Sequence, residues 1–212
     1  MKLNNTKKSI ALLSSALFLA GFMFSPSHTY DNFEGNKSVH YGPRTGVLDT
    51  VEKNPAANKV DSSSNCALYI RNSTKNFDNI KMSVSGKLSG VSEYATYLGN
   101  PPQLKMKVYT AAPVGTLVEI LLGCKGRNNE YPAGTHSQYQ AYTTVTNAWE
   151  ELVFKFSQVP EGSETSAAQI DQITLLFNPN TSTSDTYYFD DISGPVVVSG
   201  AVPPTNHLIK TD

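Results

Sequence analysis

Apolar and polar residues alternate through most of the chain with a period of two. Gln103 to Thr110 shows it most clearly: Leu104, Met106 and Val108 fall on one side, Lys105, Lys107 and Tyr109 on the other. Successive side chains leave a pleated strand on opposite sides, so this alternation predicts a strand with one buried face. Asp78 to Ser85 repeats the pattern with Ile80, Met82 and Val84. Gln138 to Thr146 sets Tyr139, Ala141, Thr143 and Val145 against Gln138, Gln140 and Tyr142. Leu152, Phe154 and Phe156 share a face after Trp149. Cys66 to Arg71, Leu117 to Cys124 and Ile170 to Phe177 are short apolar runs that read as further strands. Thr186 to Gly194 leads aromatic and β-branched residues into Asp190-Asp191, then stops at Gly194-Pro195.

Clusters of Gly, Pro, Asn and Ser separate these runs. Residues 35 to 65 are mostly polar, and only Gly46 to Leu48 and Lys59-Val60 look extended there. Residues 125 to 137 and the segment after Phe177 read as loops, and residues 157 to 169 as a polar connection with one short turn. Val196 to Val198 is expected to extend the last strand before a Pro-marked tail. No stretch carries an amphipathic helical period, and no internal repeat is present. Eight to ten short strands at this spacing predict an all-β chain, an antiparallel β-sandwich or jelly roll.

The ends change the picture of the domain. Lys2, Lys7 and Lys8 precede an almost wholly apolar stretch, Ile10 to Phe24, and then Ser25-Pro26-Ser27. This is the layout of a secretory signal peptide cleaved near Ser27, and the apolar run falls short of the roughly 20 residues that span a bilayer. The expected organisation is a signal peptide over 1–27, a β-sandwich domain over 28–195 and a tail over 196–212. Charge is nearly balanced, with 17 Lys and Arg against 18 Asp and Glu. With no basic cluster, nucleic acid and anionic membrane surfaces are poor partners. A secreted location permits a disulfide between Cys66 and Cys124. Both lie beside apolar strands, where a free thiol is a small apolar residue, so the pairing stays open. No CxxC or Cys/His cluster supports a zinc site.

Asp190 and Asp191 pose the first chemical question. In a regular strand one of two neighbours faces inward, unless a bulge intervenes, and an inward carboxylate needs a partner or a cation. Three stretches give a context for them. They are Asn65-Cys66-Ala67-Leu68-Tyr69-Ile70-Arg71-Asn72; Thr146-Asn147-Ala148-Trp149 continuing through Leu152 to Phe156; and Ile173 to Phe177 leading to Tyr187-Tyr188-Phe189-Asp190-Asp191-Ile192. In this order they resemble the galactose-binding-like jelly-roll domains, whose best-known members are carbohydrate-binding modules attached to secreted bacterial glycoside hydrolases. The resemblance covers about residues 30 to 195. It implies a structural calcium tying the start of the domain to its end, with Glu34 and one of Asp190 or Asp191 as ligands. Carboxylates, carbonyls and water are the donors calcium takes. It also implies a secreted, extracellular, cell-surface or periplasmic bacterial protein.

Carbohydrate is the partner the resemblance implies. Sugar rings stack on aromatic faces while their hydroxyls meet polar side chains. The outward positions that satisfy both are Tyr109, Glu119, Gln140 and Tyr142, with Arg127 and Tyr131 on the nearby loop. Trp149, from its place in the pattern, is expected to be buried. Catalysis is less supported. Glycoside hydrolysis needs two facing carboxylates, and Glu119, Glu150 and Glu151 lie on strands without a motif around them. Neither a Gly-x-Ser-x-Gly elbow nor a His-Glu-x-x-His pair is present, so no catalytic role is filled. The expectation is a secreted, non-catalytic protein that binds a polysaccharide or oligosaccharide. The alternatives are a cell-surface structural or interaction domain, or a small jelly-roll polysaccharide-degrading enzyme.

Overall fold

The computed structural model describes residues 27–126, 131–165 and 169–199. Of the proposed signal peptide residues 1–26 lie outside them, and of the tail residues 200–212. The described residues form β1 (His28–Asp31), β2 (Val39–Arg44), β3 (Val47–Lys53), β4 (Asn65–Ile70), β5 (Ile80–Val84), β6 (Lys87–Leu88), α1 (Val91–Tyr94), β7 (Leu104–Thr110), β8 (Leu117–Gly123), β9 (Gly134–Tyr142), β10 (Trp149–Gln158), β11 (Ser163–Glu164), β12 (Gln172–Phe177), β13 (Thr186–Gly194) and β14 (Val197–Val198). Their number exceeds the eight to ten expected because β6, β11 and β14 are two-residue pairings without periodicity and β2, at a sheet edge, carries no apolar alternation.

The strands make an antiparallel β-sandwich. The first sheet runs β2-β5-β12-β8-β9, and the second runs β7-β13-β4-β3 with β1 added against β13. β10 belongs to both. Its residues Trp149–Phe154 pair with β7, and Lys155–Gln158 pair with β9. Val118, Ile120 and Leu122 of β8 and Ile173, Leu175 and Phe177 of β12 point inward from the first sheet. Leu104, Met106, Val108, Tyr187 and Phe189 meet them from the second, and all are buried. Phe177 stacks on Tyr187 across the core, with ring centroids 4.4 Å apart. Burial of this apolar surface is the main favourable term in folding, at about 25 cal/mol per Å².

Two stretches depart from the sequence expectation. Residues 35 to 65 contain the edge strands β2 and β3. β3 shows Val47, Asp49, Val51 and Lys53 to solvent, so it lacks the apolar signal of a buried strand. Lys59-Val60 lies in a loop instead. Val197–Val198 does not extend β13 but pairs with β6.

The Asp pair is resolved by a bulge. Asp191 adopts φ 49°, and the register slips between Asp190 and Ser193. The extra residue turns Ile192 back into the core and leaves both carboxylates outside it. Asp190 stays opposite Lys107 on the outer face of the second sheet, and Asp191 pairs with the Lys107 ammonium at 2.6 Å. Cys66 and Cys124 are both free and buried, one on the second sheet and one at the end of β8 in the first.

Candidate functional site

The outer face of the first sheet is a cleft of about 440 Å³. Strand register builds its floor in rows. One row runs Lys81 (β5), Thr174 (β12), Leu121 (β8), Gln138 (β9) and Gln158 (β10). The next runs Leu176, Glu119, Gln140 and Lys155. These side chains point away from the core, yet Glu119 and Gln138 are only 7% exposed and Thr174 9%. Outward residues this shielded mark a recessed surface. Phe77, 61% exposed, and Tyr131, 51% exposed, stand at its rim.

Glu119 is the centre of the polar floor. One of its oxygens accepts from the Gln138 amide and, at 2.8 Å, from the Gln140 amide. These donors hold the carboxylate in place with acceptor capacity to spare. His136 lies one row further along, opposite Gly123. A Cβ on Gly123 would meet the Thr135 carbonyl at 2.8 Å and His136 Nδ1 at 3.2 Å, so only glycine lets the ring lie there. Burial lowers the His136 pKa, leaving the ring neutral at pH 7. The Tyr131 ring lies 5.7 Å from it.

The structure brings Glu119 and Gln140 together and places Tyr142 in the adjoining row, opposite Leu117. Arg127 lies outside the described residues. Tyr109 does not join them. It is on the outer face of the second sheet, packed edge-on against Tyr188 at 5.8 Å and beside Trp149 at 5.9 Å. Alternation put Tyr109 on an outward face correctly, but β7 belongs to the other sheet. Trp149 is buried under the 54–65 segment, with its indole N–H donating to Asn54 at 2.9 Å. Sequence reasoning missed Lys81, Thr174, Gln138 and Gln172. Lys81 and Gln138 occupy outward positions of strands whose inward faces alternation gives, and Thr174 and Gln172 lie on β12, which read only as an apolar run. Phe77 had no signal, being a lone aromatic in a loop.

The residues expected to bind calcium lie elsewhere. Glu34 accepts from the Ser64 and Asn65 amides at 2.6 Å each. Asp190, fully buried, accepts from the Ser63 hydroxyl at 2.6 Å and from the Asp191 amide at 2.7 Å. Asp61, also fully buried, shares the Ser63 hydroxyl at 2.9 Å. Start and end of the domain thus meet at one segment, 61–65. Asp61 and Asp191 share a single ammonium, that of Lys107, at 3.5 and 2.6 Å, and Asp190 lies beside both carboxylates. Burial, with Asp61 and Asp191 adding to it, raises the Asp190 carboxyl to about 7. This donor chemistry and surplus of negative charge fit a hard cation. No three His, Cys, Asp or Glu side chains are grouped as ligands among the described residues, so an ion there would also draw on carbonyls and water.

With the cleft defined, the chain falls into the class of β-sandwich proteins. It is similar in fold to a family 11 carbohydrate-binding module from Clostridium thermocellum, solved in complex with a β-1,3-1,4-mixed-linked tetrasaccharide. The identity is 14% and the TM-score 0.50 over 81% of this chain and 96% of that one. It is also similar to part of an exo-β-agarase, at 8% identity and TM-score 0.50, over 81% of this chain and 25% of that one. No protein family and no curated protein matches the sequence.

Proposed function

We propose that the protein is a secreted, non-catalytic module that binds a polysaccharide or oligosaccharide in the cleft of its first sheet. The observation that carries this reading is Glu119 held by Gln138 and Gln140 on a recessed floor between the aromatic rims Phe77 and Tyr131. Carboxylate and amides answer sugar hydroxyls, and exposed rings answer the apolar faces of the sugar. The fold shared with the carbohydrate-binding module is consistent with it. Glu119 is the one carboxylate lining this cleft among the described residues, whereas hydrolysis needs two. A structural calcium belongs to the same proposal, with Glu34 and one of Asp190 or Asp191 among its ligands and away from the cleft.

Affinity electrophoresis against mixed-linkage β-glucan, xyloglucan, xylan, glucomannan and agarose tests the reading. The full chain is expected to be retarded by at least one, and Glu119→Ala and Gln138→Ala to lose about tenfold in affinity each, the loss of one or two good hydrogen bonds. Unretarded migration in all five gels would favour the structural-domain alternative. New reducing ends released from any of them would favour the enzyme.

A further inference from the structure

The cleft does not end at β9. Upstream of Lys155, β10 leaves β9 and pairs with β7. The ladder between β9 and β10 therefore opens, and the opening is a second groove, of about 660 Å³. Tyr142 and Thr144 line one side, and Glu150, Val153 and Lys155 the other. Glu150 fixes the far end, accepting from the Thr144 amide at 3.0 Å and the Thr144 hydroxyl at 2.6 Å. Tyr142 is 55% exposed, with its ring available as a platform.

The two hollows adjoin. Gln140 lines the groove while its amide donates to Glu119 in the cleft, and Tyr142 of the groove lies opposite Leu117 of the cleft. We infer that the β9–β10 groove is an additional subsite, and that cleft and groove form one track for an extended, uncharged glycan chain, with Tyr142 stacking on a sugar beyond those in the cleft. This rests on the carbohydrate reading above. Crossing β5, β12, β8, β9 and β10 takes four interstrand steps, roughly 19 Å, a length that suits several sugars in line. The track carries Lys81 and Lys155 against Glu119, Glu150 and Glu151 among its described residues. Two cations against three acids leave no positive surplus to hold uronate or sulfate groups, and like charges are repelled.

Calorimetric titration with size-fractionated fragments of the retained polysaccharide tests the subsite. Tyr142→Ala is expected to weaken hexasaccharides and longer chains about tenfold and to leave di- and trisaccharides unchanged. Tyr142→Phe keeps the platform and is expected to bind both like the parent. Gln138→Ala weakens both sizes, and polygalacturonate is not retained. Equal effects of Tyr142→Ala on short and long fragments, or none on either, would end the track at β9. Retention of polygalacturonate would overturn the uncharged ligand. A parent chain that binds no neutral fragment of any size removes the carbohydrate reading itself, and the subsite with it.

Discussion

Asp190 shows how one residue's surroundings set its chemistry. It is fully buried beside two other carboxylates, and its carboxyl is raised from an ordinary value of about 4 to about 7. In the ion-free protein the folded state therefore holds a proton between about pH 4 and pH 7 that the unfolded chain has released. Stability is full below the lower value and falls as pH rises through this window. Asp31, 2% exposed with its pKa also raised by burial, acts in the same direction. Thermal melts of chelator-treated protein are expected to show Tm falling from pH 4.5 to 7.5, and Asp190→Asn to flatten much of that slope. A calcium ion at the cluster would favour the ionised carboxylate and reverse this. At about a hundredfold excess over its Kd it adds about 3 kcal/mol, or roughly 5–10 °C in Tm at pH 7.5. If chelation leaves Tm untouched, Lys107 alone compensates the cluster and the calcium proposal falls.

At the scale of elements, the decisive feature is β10, which passes from one sheet to the other. Alternation shows which residues of a strand share a face. It does not say to which sheet the strand belongs, because that is fixed by pairing distant in sequence. Tyr109 and Gln140 both read as outward, and both are, on opposite sides of the molecule. Tyr109→Ala is accordingly expected to cost about 2 kcal/mol through its lost contacts with Trp149 and Tyr188. It should leave polysaccharide retention unchanged, whereas loss of retention in a folded variant would place a ligand on the second sheet. The same limit explains the other departures. The inward faces of β5, β7 and β9 were legible because burial selects apolar residues at every second position, whereas β8 and β12, shielded on both faces, showed only as apolar runs. Of the edge strands β2 and β3 only Val47-Leu48 was legible, since with one neighbour and open solvent they need no such pattern. The bulge at Asp191 left only the adjacent acids as a trace. Of the site, Glu119 and Gln140 were legible as outward polar positions, while Phe77 depended on a loop's path.

For the whole molecule, the two faces of the first sheet divide the work. Inward side chains hold the sandwich closed, and outward ones form the cleft, so adjacent residues of one strand answer to different demands. β12 supplies the sharpest pair. Leu175 is fully buried between the sheets, and Thr174, its neighbour, faces the cleft between Lys81 and Leu121. Leu175→Ala leaves a cavity and is expected to cost 2–5 kcal/mol, lowering Tm by roughly 5–15 °C. Well below that Tm the closely packed sheet keeps its register, and retention on polysaccharide should match the parent. Thr174→Ala removes a hydroxyl from the cleft floor and little from the core. It is expected to leave Tm within about 2 °C and to weaken binding about three- to tenfold. Melting curves and affinity gels on the same two preparations decide the matter. If Leu175→Ala loses affinity while folded, the cleft depends on core packing being intact to the last methyl group. The sheet would then be a deformable part of the site rather than a fixed support for it.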